Sequence, residues 1–179
     1  MKQNRTIQGR EPLPRVKGFS LIELLIVVAI ILIIAAIAIP NLLRARIAAN
    51  EASAATSVRK MATAEVAYNT AYPTVGYSPD LLSLGGPLTN CVPATTSACI
   101  LDSTLSSGSK SGYSFAALGF TTSGPNSSFV VGAIPQAYNQ SGVRDFCIVT
   151  DGVLRINPGS AGAVSPPDVP TCAAYAISQ

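Results

Sequence analysis

From Phe19 to Pro40 the chain reads FSLIELLIVVAIILIIAAIAIP, and between residues 21 and 39 its only charged residue is Glu23. An apolar run of about 20 residues rises about 30 Å as an α-helix, the thickness of a bilayer's hydrocarbon core. In lipid every backbone N–H and C=O must be paired within the segment, so such a run crosses as a helix. A secretory signal would have a shorter apolar stretch of about 7–15 residues followed by a small-x-small cleavage site. Ile39, Pro40 and Asn41 offer no such site. Before the run stand Lys2, Arg5, Arg10, Arg15 and Lys17 against Glu11, a bias that holds the N-terminus in the cytoplasm. Arg44 and Arg46 oppose that bias without cancelling it. The rest of the chain is nearly neutral, which excludes a broad basic face for nucleic acid and predicts no specific nucleic-acid partner.

Beyond Pro40 the pattern stays helical. Leu43, Ile47, Ala54, Val58 and Met61 recur near multiples of 3.6, with Arg44, Glu51, Arg59 and Lys60 expected on other faces. One helix of roughly 50 residues, about 75 Å long, is predicted from residue 19 to about 69, half apolar all round and half amphipathic. Pro40 is expected to kink it or melt it locally. The predicted organisation is a leader over residues 1–18, a membrane half-helix over 19–39, an amphipathic half-helix over 40–70, a disulfide-clipped loop over 71–112, and an antiparallel sheet with its tail over 113–179. Candidate strands are Tyr113–Phe120, 129–134 and 146–156, the last folded into a two-residue hairpin at Asp151-Gly152. A sheet of about four strands packed on the amphipathic half-helix makes the fold α+β.

The sequence contains no histidine, which removes the commonest general base and metal ligand. Cys91, Cys99, Cys147 and Cys172 all follow the apolar run without zinc-type spacing, and read as disulfides of an oxidising compartment. Sequence proximity favours Cys91 with Cys99 and Cys147 with Cys172, although four cysteines permit three pairings. Asp145, Asp151 and Asp168 read as solvated loop carboxylates rather than a calcium site, because no dense run of oxygen ligands is present. Tyr113, Phe115, Phe120, Phe129 and Phe146 read as sheet core. Neither a metal nor a cofactor is expected, and the chain is not expected to be an enzyme. A membrane-tethered hydrolase or binding domain is the competing class.

The string Lys17-Gly18-Phe19-Ser20-Leu21-Ile22-Glu23-Leu24 joins a basic leader, a glycine, an aromatic residue and one carboxylate inside an apolar span. A carboxylate near the end of a membrane helix costs a few kcal/mol and marks a functional site by default. This string resembles the class III signal of type IV prepilins and type II secretion pseudopilins. The resemblance implies cleavage between Gly18 and Phe19 by a prepilin peptidase, N-methylation of Phe19, and assembly through Glu23, with Pro40 at the family's helix-breaking position. It implies a pilin-like fold and a homo-oligomeric filament built by platform and ATPase machinery. The implied location is the bacterial inner membrane, single-pass with a cytoplasmic N-terminus, then a cell-surface pilus serving adhesion, motility or DNA uptake. The alternative is a pseudopilin of a type II secretion system, ending in the periplasm.

Overall fold

The computed structural model describes residues 18–87, 89–163 and 168–177, so all of the expected leader except Gly18 lies outside the described residues. Helix α1 spans Leu21–Ala71, 51 residues, and passes through Pro40 without losing helical structure. The chain divides at the Pro40/Asn41 bond into two units. In the first, the large side chains of α1 are exposed, from 44% at Val28 to 76% at Leu21. Its most apolar 18-residue window buries nothing inside the protein, and the helix is long and apolar enough to cross a membrane.

In the second unit, α1 turns one stripe inward: Glu51, Ala54, Val58, Met61, Glu65 and Tyr68, at alternating spacings of three and four. Two expectations are corrected here. Leu43 is 46% exposed rather than part of the packed stripe, and Glu51, placed by its charge on an outer face, is 5% exposed. Polarity misassigns Glu51 because its carboxylate finds partners in the fold. The helix ends where the Tyr68 carbonyl accepts its last bond, from Tyr72 N–H, and Pro73 has no N–H with which to continue.

The segment after α1 is irregular apart from two four-residue helices, α2 (Leu81–Leu84) and α3 (Ser103–Ser106). Each is capped by an aspartate, Asp80 accepting from Ser83 N–H and Asp102 from Leu105 N–H. The Cys91–Cys99 disulfide closes the loop between them.

The sheet has six antiparallel strands in chain order, not four. They are β1 (Ser109–Lys110), β2 (Tyr113–Phe120), β3 (Ser128–Pro135), β4 (Asp145–Val149), β5 (Arg155–Asn157) and β6 (Ala176–Ile177). The two additional strands are two residues each, too short for an alternation of side chains to reveal. Tyr113, Phe115 and Ala117 of β2, Phe129, Val131 and Ala133 of β3, and Phe146 and Ile148 of β4 join the α1 stripe in one core. The aromatic residues thus serve as core, with Phe120 packing from the edge of a second cluster.

The hairpin turns also differ from expectation. The two-residue mirror turn sits at Ser111-Gly112, between paired Lys110 and Tyr113, where both turn residues have positive φ (50° and 72°). At Asp151-Gly152 only Gly152 does (74°), and pairing resumes at Cys147 with Arg155, leaving a wider loop. Asp151 instead accepts from Val153 N–H and holds the Arg155 guanidinium at 2.5 Å. On the opposite face of the sheet, Val130, Cys147 and Val149 pack with Cys172. Helix α4 (Val169–Ala173) is stapled there by the Cys147–Cys172 disulfide, which is why β4 is buried at all five positions.

Candidate processing and assembly site

The N-terminal site is built by the first turn of α1. Ser20 N–H donates to Glu23 Oε2 (3.2 Å), and Leu24 N–H donates to the Ser20 carbonyl (3.2 Å), so Ser20 opens the helix and Glu23 folds back over its start. Ser20-Leu21-Ile22-Glu23 fits the S-x-x-E capping box, a signal that sequence reasoning missed, and among the described residues its glutamate arm is formed. A carboxylate is also favoured there by the helix dipole. Phe19 is 81% exposed, and a Cβ added at Gly18 would meet nothing within 4 Å. Among the described residues, therefore, no packing contact requires glycine at this position.

The carboxylates of the second unit behave differently from one another. Glu51 Oε1 accepts from the N–H groups of Val143 and Arg144, and Oε2 is held by the Arg144 guanidinium at 2.6 Å. Burial pushes the Glu51 pKa up, but those donors outweigh it and leave the carboxyl below its ordinary value. Glu65, fully buried, accepts from Ser78 N–H (2.8 Å) and Ser78 Oγ (2.6 Å), with no cation paired to it among the described residues. Burial pushes its pKa up to about 7, Asp80 adds to the rise, and the Ser78 bonds oppose it.

The three aspartates read as solvated do not form one class. Asp168 is an exposed N-cap of α4 and Asp151 pairs with Arg155, but Asp145 is 3% exposed in β4, and burial raises its pKa. Its place in the strand is the reason: β4 is covered on both faces. The three lie in β4, the β4–β5 turn and the α4 cap, and no metal-ligating cluster occurs among the described residues.

Sequence reasoning also missed two S-x-x-K spacings, Ser57 to Lys60 and Ser107 to Lys110. Neither forms a nucleophile–base pair. Ser107 donates to the Thr104 carbonyl, Ser57 is 1% exposed, and its hydroxyl accepts from Lys110 Nζ at 3.4 Å instead. Both disulfides join the pairs favoured by proximity, with Cα separations of 6.1 Å and 6.0 Å.

An apolar helix that opens on a glutamate cap, continues into an amphipathic half, and packs there on a disulfide-bearing antiparallel sheet gives the chain an α+β, pilin-like architecture. Residues 13–39 match the prokaryotic N-terminal methylation motif. The chain is similar to the type IV major pilin protein PilA of Myxococcus xanthus, 47% identical over 55 residues, 31% of this chain and 25% of that protein. It is also similar to the type IV wide pilus major component PilA4 of Thermus thermophilus, 71% identical over 35 residues, 20% of this chain and 27% of that protein. Each match thus spans about a quarter of the curated relative's length.

Proposed function

We propose that this chain is the precursor of a structural, non-catalytic subunit of a type IV pilus, cut between Gly18 and Phe19 and N-methylated on Phe19. The observation that carries the reading is the register of three features inside the methylation motif: a glycine that no contact among the described residues requires, the exposed Phe19, and Glu23 one turn into an apolar helix. A glycine without a structural reason is the kind of residue that a processing enzyme's narrow pocket selects. Before assembly, α1 anchors the chain in the bacterial inner membrane with the leader in the cytoplasm. After cleavage, the new Phe19 amine of one subunit pairs with Glu23 of a neighbour, offsetting two charges in an apolar core and fixing the axial stagger. Pro40 supplies a point of bending between the two halves of α1. The peptidase, the assembly ATPase and its platform protein are the partners this route needs. The pilus is favoured over a secretion pseudopilus because both similar proteins are named as components of pili.

The deciding experiment is intact-mass and N-terminal analysis of filaments sheared from native cells. A chain beginning at N-methylated Phe19 in the sheared fraction is the expected result. The same chain confined to the envelope would move it to the pseudopilin reading, and a different N-terminus would overturn the proposal.

A further inference from the structure

The two disulfides stand in opposite surroundings. Cys147 and Cys172 are both 0% exposed and pack with Val130 and Val149 where α4 covers the sheet. A reagent reaches those sulfurs only after α4 opens away from the strands. Cys91 and Cys99 are half-buried, and both line a surface cleft of about 270 Å³ whose other walls include Gly86, Asp102 and Ser103. Thiol–disulfide exchange needs a thiolate to reach one sulfur, so access separates the two bonds.

The two sulfurs of the accessible bond are not equivalent. A Cβ built on Gly86 would come within 2.0 Å of Cys91 Sγ but 3.2 Å of Cys99 Sγ, so the Gly86 backbone covers Cys91 more closely. Ser97 Oγ lies 3.9 Å from Cys91 Sγ, and because a disulfide sulfur carries no hydrogen, the hydroxyl is the donor of that contact. The same hydroxyl donates to the Gly85 carbonyl at 3.4 Å, a long bond that leaves its hydrogen free to turn toward a thiolate at Cys91. Cys99 Sγ lies instead 3.6 Å from the Ser97 carbonyl oxygen, which would repel a thiolate there. Exchange is faster when the departing sulfur is better stabilised as a thiolate. These surroundings make Cys99 the sulfur that is attacked and Cys91 the one that leaves.

We propose that Cys91–Cys99 is a thiol–disulfide exchange site for a dithiol reductant, entered at Cys99, while Cys147–Cys172 stays closed. One thiolate of the dithiol attacks Cys99 Sγ. The Cys91–Cys99 bond breaks, and Cys91 leaves as a thiolate that Ser97 stabilises until solvent protonates it. The second thiol of the reductant, deprotonated, then attacks the reductant's own sulfur in the mixed disulfide, and Cys99 leaves as a thiolate and takes up a proton. The protein gains two electrons and two protons, and the reductant becomes a disulfide. The loop keeps its footing, since Ala98 N–H still donates to the Ser83 carbonyl (2.8 Å) and Tyr68 O–H to the Thr95 carbonyl (2.6 Å). What is released is the Cys91 end of the loop, while Ala98 stays packed in the core.

The test exposes the full chain, solubilised in detergent with both disulfides formed, to dithiothreitol for timed intervals. Samples are then acid-quenched and alkylated, and each cysteine is assigned by peptide mass spectrometry. Cys91 and Cys99 are expected to label more than about tenfold faster than Cys147 and Cys172. With 2-mercaptoethanol in place of the dithiol, the earliest mixed disulfide is expected on Cys99 rather than Cys91. Ser97→Ala is expected to slow opening severalfold and leave the rate at Cys147–Cys172 unchanged. A hydroxyl that merely held the loop shut would give the opposite sign, because its loss would loosen the loop and speed opening. Equal rates for the two disulfides in the parent chain would show that reduction needs the unit to unfold and would overturn the site. Early mixed disulfide on Cys91, or a Ser97→Ala chain that opens as fast as the parent or faster, would overturn entry at Cys99.

Discussion

The two halves of α1 have the same backbone and opposite relations to the rest of the protein. Before Pro40, side chains on every side of α1 are apolar and exposed, and among the described residues the one carboxylate, Glu23, reaches only a neighbouring N–H. After Asn41, one stripe is buried and two carboxylates, Glu51 and Glu65, lie within it, each bonded to a different loop of the globular unit. The difference teaches how to separate roles. A change in the first half should alter what the chain does with other molecules and leave folding untouched, while a change in the second should do the reverse.

The largest effect expected is all or none. Gly18→Val should abolish cleavage and filaments, yet leave the melting temperature of the globular unit unmoved, since an added Cβ meets nothing within 4 Å. Mass spectrometry of the cell-associated protein and a thermal melt check the two halves of that statement. At Glu23 the comparison becomes finer, because a capping box accepts glutamine in place of glutamate. Glu23→Gln keeps an acceptor for Ser20 N–H but loses the charge. If assembly depends on charge, Gln fails as completely as Ala when sheared filaments are quantified; if it depends on the cap, Gln rescues. Loss with both is expected.

In the second half the effects should appear as stability. Glu51→Ala removes the acceptor for two N–H groups and for Arg144, whose side chain keeps half its exposure and so can rehydrate. A cost of about 2–3 kcal/mol is expected in urea unfolding, below the full penalty of a buried pair. Met61→Ala, fully buried in the same stripe, should cost about 2–4 kcal/mol. A cleavage defect in either variant would break the separation.

How much of this was legible follows from the same contrast. The span, the processing motif and the α+β class are written in local patterns: an unbroken apolar run, a fixed spacing from Gly18 to Glu23, and a change of period near Tyr113. The burial of Glu51 and Asp145 was not, because each lies inside only through partners distant in sequence or a strand covered from both faces. Strands β1 and β6 were hidden by being two residues long, and the mirror turn at Ser111-Gly112 by flanking residues that make a weak hairpin pattern. The cap at Ser20 and Glu23 is legible as an S-x-x-E spacing, but it is obscured because the apolar run starts at Phe19 and hides the helix boundary.

The smallest predicted effect is conditional on pH and turns on the two buried glutamates. Glu51 has a cation and Glu65 has only Ser78, so their pKa values move in opposite directions from the ordinary one. A carboxyl whose folded pKa lies above its unfolded value binds protons more tightly when folded. Its contribution is therefore most favourable below pH 4.5, declines as pH rises from 4.5 to about 7, and is level above that. Glu51 has the opposite sign: its contribution is present above the ordinary glutamate range and is lost as pH falls through its lowered folded pKa. Glu65→Gln removes the titration while keeping an acceptor for Ser78 N–H, so it should stabilise the fold at pH 8, by about 1–2 kcal/mol after allowing for the lost charge-assisted bond, and do nothing or slightly destabilise at pH 5. Urea unfolding at the two pH values checks this. A gain of equal size at both would mean that packing rather than ionisation distinguishes Glu65 from Glu51, and that the second half of α1 tolerates its buried charges through geometry alone.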